Sequence, residues 1–309
     1  MKNSKYKFYK NCLTPIVLAI FLFTSTPIPA QQDSTQIRNK RLIPTLTAAG
    51  TTYAGGMTAL YFLWYKNYPQ SSFHTLNDNA AWLQVDKVGH STTTYHLAKS
   101  SYTIFKWSGM TDNKALFIGS LAGLTFQTSV EILDGLSTNW GFSWGDFGAN
   151  IAGAAIFTGQ QILWKEQRIS LKFSYFPSKY AKFNPAVLGA NFQERVLKDY
   201  NGQTYWLSVN IASFLKQETK IPKWLNIAFG YGAKGMLNTY SNSISNSSII
   251  PTFNRTRQYY LSLDVDLSRI HTKSEFLKML LDIVSVVKIP FPTLEYNSEN
   301  GISFHPLHF

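Results

Sequence analysis

The chain has 309 residues, a formal net charge of +12, 15% charged and 15% aromatic residues and one cysteine. That length suits two modest domains or one large one. The single cysteine excludes an intrachain disulfide framework, and no basic arm with interleaved aromatics points to nucleic acid.

The first ten residues, MKNSKYKFYK, carry four lysines, an uncharged apolar run CLTPIVLAIFLFT follows at 12–24, and TPIPAQQ comes next. This three-part order predicts a secretory signal peptide over residues 1–30, cleaved after Ala30. The alternative is an uncleaved N-terminal anchor, although the run is short for a span. Loss of residues 1–30 removes four lysines and no acids, so the formal charge falls from +12 to +8. A moderate basic excess suits an anionic envelope surface. Residues 31–40 are polar and predict a disordered linker.

Residues 42–65, LIPTLTAAGTTYAGGMTALYFLWY, contain no charged side chain and are long enough to cross a bilayer. Arg38, Lys40 and Arg41 precede them, and Trp64, Tyr65 and Lys66 close them, as interfacial anchors do. A buried helix of a soluble bundle is the other reading. Further helices are expected over 84–107, 113–133 and 143–167, the later ones short in uncharged length and rich in Gly, Ala and Thr. Residues 41–167 therefore read as a helical bundle inserted in or lying against a bilayer.

The pattern changes at Arg168. RISLKFSYF alternates, a helix is expected near NFQERVLKDY, and QTYWLSVNI, NIAFGYGAKGM and RQYYLSLDVDLSRI alternate again. In the last of these Tyr259, Leu261, Leu263, Val265 and Leu267 share one face, and Ser262, Asp264, Asp266 and Ser268 share the other. YSNSISNSS, 240–248, is a polar loop, SEFLKMLLDIVSVV reads as helix, and KIPFPTLEY and GISFHPLHF return to extended chain. Apolar-out strands with polar or small residues inside, ending in the aromatic Phe309, suggest an outer-membrane sheet or partial barrel. A soluble antiparallel sheet covering a helix is the alternative. About six strand segments fall short of the eight that a closed spanning barrel uses. The expected fold class is α+β: a membrane-associated helical bundle over 41–167, then an antiparallel β-sheet or partial β-barrel over 168–309.

Three helical stretches carry polar residues that need partners. Asp86 and His90, four apart in VDKVGH, share a helix face, where a carboxylate orients an imidazole. Glu131 and Asp134 sit where a helix ends at Gly135, against the negative end of its dipole, so a cation, a metal or donors must compensate. In WGFSWGDFGAN, Ser143 and Asp146 have capping-box spacing, with Asn150 and Gly153 following on the same side.

Together DKxxH, an E-x-x-D pair and G-x-SW-x-D followed by Asn and Gly resemble the YfiM-like family of predicted periplasmic lipoproteins, a domain of unknown function. The resemblance covers Trp82 to Trp164 and is carried by Asp86, Lys87, His90, Glu131, Asp134, Gly141, Ser143, Trp144, Asp146 and Gly153. The order is also distantly similar to that of VanZ-like membrane proteins. This chain departs from the lipoprotein pattern in having no cysteine at its predicted cleavage site. Its β-rich region resembles extensions of envelope proteins from the Bacteroidetes group. The resemblance implies an envelope location and supplies no activity.

Two functional readings follow. In the first, Asp86, His90, Glu131, Asp134 and Asp146 form a buried network that pins three helices in a non-catalytic scaffold or lipid-facing module. In the second, they line a cleft of a membrane-surface hydrolase acting on a lipid-linked or phosphorylated substrate. His90 is then base or nucleophile oriented by Asp86, with Glu131 and Asp146 as acid, base or metal ligands. Transport or ligand carriage is a third class. His96 falls off the Asp86–His90 face and reads as a packing residue; His305 and His308 read as solvated strand-end side chains or a weak chelating pair. Membrane lipid, and another envelope protein, are the expected partners, with no cofactor assigned.

Overall fold

The computed structural model describes residues 34–66, 68–215, 220–243 and 251–309. The expected signal peptide and most of the 240–248 loop lie outside the described residues.

The first helix, α1 (Ser34–Leu60), starts earlier than expected, so the polar segment from Ser34 to Lys40 is helical rather than a disordered linker. It runs into one π-helical turn, Tyr61–Tyr65. Helices α2 (Val85–Trp107), α3 (Asp112–Gly135) and α4 (Trp144–Trp164) follow. α2 is central and packs on both α3 and α4. Small residues set the close approach: a Cβ on Gly123 would lie 2.8 Å from the Ala98 nitrogen, and one on Gly153 only 2.1 Å from the Ser91 carbonyl oxygen. Between the helices Tyr95, Ala98, Leu116 and Phe157 pack with Leu171 of the first strand. α4 starts at Ser143, whose hydroxyl accepts from the Asp146 amide at 3.0 Å.

The turn before α2 is left-handed at three consecutive non-glycine residues, Trp82 (φ 47°), Leu83 (φ 52°) and Gln84 (φ 68°). Such residues cost about 1–2 kcal/mol each and persist only where tertiary contacts hold them. Here the Trp82 amide donates to the Thr239 carbonyl, the Leu83 carbonyl accepts from the Tyr231 hydroxyl, and the Gln84 side chain accepts from Arg257. All three partners belong to the β-rich region, so the strained turn ties the helices to the sheet.

Strands β1 (Ile169–Tyr175), β2 (Gln203–Val209), β3 (Leu225–Lys234), β4 (Thr256–Val265), β5 (Phe291–Asn297) and β6 (Gly301–His308) form one antiparallel sheet in sequence order. Short helices α5 (Pro185–Leu188) and α6 (Phe192–Lys198) lie between β1 and β2, and α7 (Glu275–Val284) lies between β4 and β5.

The sheet buries its polar face. Lys172 and Asp264 pair at 2.6 Å with both side chains at 0% exposure. Ser208 donates to Asp264 at 2.6 Å, and Asn226 donates to Ser208 at 2.8 Å. The opposite face carries an apolar row whose register runs Leu171, Leu207, Phe229, Leu261, Leu294, Phe304 across all six strands. α2 packs against β1 and β2, where Leu171 is buried; from Leu207 through Phe304 the row is exposed.

The expectation of a partial barrel is corrected by the strand order. β1 and β6 are the two edges and do not pair, so the sheet is open. It is nevertheless rolled around its polar face: the His308 ring of β6 lies 4.6 Å from that of Tyr260 in β4 and 6.0 Å from that of Trp206 in β2. Six strands are too few to close around an interior this well filled. The free edge of β1 instead takes the segment after α7: the Phe173 amide donates to the Val286 carbonyl at 2.8 Å, and the Phe173 carbonyl accepts from the Lys288 amide at 3.0 Å. A cavity of ≈ 480 Å³ opens at one end of the roll, lined by Thr204, Lys234, Gln258, Tyr260, Glu295 and His308 among others.

Candidate functional site

The three polar stretches converge where the first turn of α2, the end of α3 and the start of α4 meet. A loop completes the site. It is held beside the 136–142 turn by the Leu76 amide donating to the Phe142 carbonyl and the Phe142 amide donating to the His74 carbonyl, each at 3.0 Å. That pairing delivers Asp78 to the cluster.

Lys87 is the hub. Its ammonium donates to Asp78 and Asp146 at 2.9 Å each and lies 3.4 Å from Asp86. Burial works against its charge, yet the Asp86 and Asp146 carboxylates hold Lys87 above its ordinary value. Ser143 donates through its hydroxyl to Asp78 at 2.5 Å and through its amide to Glu131 at 3.2 Å. Asp78 and Asp146 form a coupled pair. Burial raises Asp146, while hydrogen bonds from Asp146, Ser143 and Lys87 outweigh burial and lower Asp78.

The expected Asp86–His90 couple does not form. Asp86 turns to Lys87, while His90 Nδ1 lies 3.2 Å from Asn150 Oδ1, 3.4 Å from Gln127 Nε2 and 3.4 Å from Glu131 Oε1. One helical turn put the two residues on one side, and long-range partners then separated them. Burial keeps the His90 imidazole neutral by lowering its pKa.

The acids at the end of α3 are answered by donors. Glu131 receives the Ser143 amide, and Asp134 receives the Tyr65 hydroxyl at 2.8 Å, brought there by the π turn after α1. Burial, reinforced by neighbouring acids, pushes Glu131 up to about 9 and Asp134 up to about 7, while burial also pushes Asp86 up to about 7. Three atoms of the cluster are buried without a hydrogen-bond partner: Asp86 Oδ1, Glu131 Oε1 and Asn150 Nδ2.

Two sets of side chains bring possible ligand atoms within 4.8 Å of one another: His90, Glu131 and Asp146, and Asp78, Asp86 and Asp146. The Lys87 ammonium sits among the second set.

The other singled-out residues lie elsewhere. The His96 Nε2 lies 2.6 Å from the Leu171 carbonyl, joining α2 to β1. His305 pairs with Glu295 at 2.8 Å, and His308 stacks on Tyr260 inside the rolled sheet, so neither is a solvated strand end. Sequence reasoning missed Asp78, Tyr65, Thr94 and Gln127 as members of the network. Thr94 donates to Asn150 at 3.1 Å, one turn beyond His90, and its i+4 position was the available signal.

Residues 75–159 match the profile of a family described as predicted periplasmic lipoprotein (DUF2279). The matched span holds Asp78, Asp86, Lys87, His90, Glu131, Asp134, Asp146 and Asn150, and leaves out α1 and the sheet. It bears on that family alone and names neither a YfiM-like nor a VanZ-like group. No curated protein matches, and no solved structure matches. The similarity covers just over a quarter of the chain, and it marks an exported protein of the cell envelope, on the periplasmic side.

Proposed function

We propose that the protein is a non-catalytic envelope scaffold that seats on a lipid surface and whose helices are locked in register by the polar cluster. The observation that carries this reading is the Lys87 hub, which joins the 70–80 loop, α2 and α4 through Asp78, Asp86 and Asp146. A lysine held between three carboxylates is committed to structure, and buried ionic networks of this kind specify one arrangement of helices. The lipid side of the reading is supported by the exposed apolar row of the sheet and by Leu277, Leu280 and Ile283 exposed on α7. The finer YfiM-like assignment belongs to the same reading, since the cluster residues are those that carry the resemblance.

The second reading, a membrane-surface hydrolase, is favoured by the convergence of His90, Glu131 and Asp146 and by the raised carboxyl groups around them. Complementation of a deletion strain separates the two. Under the scaffold reading, His90→Ala and Glu131→Gln restore the envelope phenotype in proportion to the folded protein that accumulates. A variant at wild-type abundance that restores nothing would overturn the scaffold and select the hydrolase.

A further inference from the structure

We propose that the junction of α2, α3 and α4 binds one divalent transition cation of the Zn²⁺ or Mn²⁺ class, held by His90, Glu131 and Asp146. Each helix contributes one ligand, and the three ligand atoms already lie within 4.8 Å of one another. The edge of a tetrahedron with metal–ligand bonds near 2.1 Å is about 3.4 Å. His90 Nδ1 and Glu131 Oε1 stand 3.4 Å apart, and Asn150 Oδ1 lies 3.2 Å from the same ring nitrogen, placed as a fourth oxygen. Closing Asp146 onto the site therefore needs a side-chain adjustment and no helix movement.

Convergence of acids alone would not make a site. The independent observation is Glu131: it is 1% exposed, its Oε2 is fixed by the Ser143 amide, and its Oε1 faces His90 without any hydrogen-bond partner. A buried acceptor left open in this way calls for a proton or a cation. The Lys87 ammonium is already engaged by Asp78, Asp86 and Asp146. Lys87 occupies the neighbouring Asp78–Asp86–Asp146 set and leaves the His90 set for a different cation.

The donor chemistry selects the class. Imidazole nitrogen favours Zn²⁺, Fe²⁺ and their neighbours, whereas Ca²⁺ and Mg²⁺ take oxygen sets of higher coordination number. Supporting contacts outside the ligands are in place: the Ser143 amide orients Glu131, and Lys87 and the Ser143 hydroxyl hold the Asp78–Asp146 pair. Gln127, whose Nε2 approaches His90 Nδ1 at 3.4 Å, must turn aside when the cation binds.

The test uses the full chain in detergent with a tag free of histidine, stripped with chelator and titrated with Zn²⁺, Mn²⁺, Mg²⁺ and Ca²⁺ by equilibrium dialysis. One equivalent of Zn²⁺ or Mn²⁺, with Mg²⁺ and Ca²⁺ at least 100-fold weaker, is expected. Glu131→Gln should weaken binding at least 100-fold, while Asp86→Asn should keep one equivalent. Folded wild-type chain that takes up no equivalent, or Glu131→Gln with wild-type affinity, would overturn the site. If Glu131→Gln does not fold, carbethoxylation of wild-type chain read at His90 by peptide mass mapping serves instead. Zn²⁺ should protect His90 at least tenfold, and equal labelling with and without Zn²⁺ would overturn the site. The scaffold reading fails separately: it stands if no cation binds, and it falls if cation-free variants accumulate normally without complementing.

Discussion

At the scale of single residues, the decisive one is Lys87. Removing one partner of a buried ionic cluster leaves the others uncompensated and costs about 3–5 kcal/mol. Lys87 has 12% of its side chain exposed and serves three carboxylates, so Lys87→Met should lower unfolding stability by about 3 kcal/mol or more. Denaturant unfolding of the detergent-solubilised protein measures it, and a loss under about 1 kcal/mol would show that the hub is not a hub. The sequence reading found Asp86, His90, Glu131, Asp134 and Asp146 because charges in apolar helices stand out. It pairs Asp86 with His90 because i,i+4 spacing is a local rule, whereas partners far along the chain take over: Asn150 lies 60 positions from His90, and Asp146 lies 59 from Lys87. Local spacing identifies a face; it does not identify what the face meets.

His96 supplies a pH dependence of a different origin. Burial, with Lys99 adding, lowers it from 6.5 to about 4, while Asp282 opposes and Lys172 assists. Between those values the unfolded chain binds a proton that the folded chain refuses. Stability therefore falls as pH drops from about 6.5 towards 4, by up to about 3 kcal/mol from this group. Raised carboxyls such as Asp86 act in the opposite sense, because the folded state keeps their protons. The comparison must therefore be a difference: the melting temperature of His96→Gln minus that of wild type should rise as pH falls through this window. A pH-independent difference would assign the acid response to other groups.

At the scale of elements, helix contacts rest on where side chains are missing. A methyl on Gly153 would meet the Ser91 carbonyl oxygen at 2.1 Å, and backbone there cannot yield without parting α2 from α4. Gly153→Ala should destabilise by about 2 kcal/mol or more. On the same helix nothing lies within 4 Å of a methyl at Gly148 or Gly159, so Ala at either should stabilise by up to about 1 kcal/mol through helix propensity. Three thermal melts decide the matter, and a neutral Gly153→Ala would mean that α4 sits farther from α2. Most elements were legible: α2 follows apolar residues recurring on one side, α3 and α4 follow runs of uncharged residues, and the alternation of β3 and β4 is unambiguous. What could not be read was the left-handed Trp82–Gln84 turn. No residue there prefers positive φ; Thr239, Tyr231 and Arg257, over 140 positions away, impose it. The helical start at Ser34 was also hidden, because a polar stretch joined to a long helix can extend it without any apolar face of its own.

At the scale of the whole molecule, polarity is reversed in the sheet. Lys172, Ser208, Asn226 and Asp264 are inside, and Phe229, Leu261, Leu294 and Phe304 are outside and 43–63% exposed. On the helical unit Phe117, Leu121 and Ile151 are exposed as well. Water is a poor solvent for such a surface, and under the proposed scaffold reading lipid covers it. Magnitudes decide what drives the contact. Burying a large apolar side chain completely is worth about 1.5–3 kcal/mol. Half-exposed members of the row should each contribute about 1 kcal/mol or more, and together these outweigh a basic residue near an anionic surface, at about 1 kcal/mol each. Association with phosphatidylcholine vesicles in flotation assays should therefore survive 0.5 M salt and depend little on added anionic lipid. Phe229→Ser combined with Leu261→Ser removes the centre of the row without touching the buried polar face, and should cut vesicle association at least tenfold while the melting temperature changes little. If the double variant floats as well as wild type, the apolar face of the sheet is not what meets the membrane. If salt alone strips the protein, the basic surface holds it there, and the reversed polarity of the sheet then answers to a protein partner.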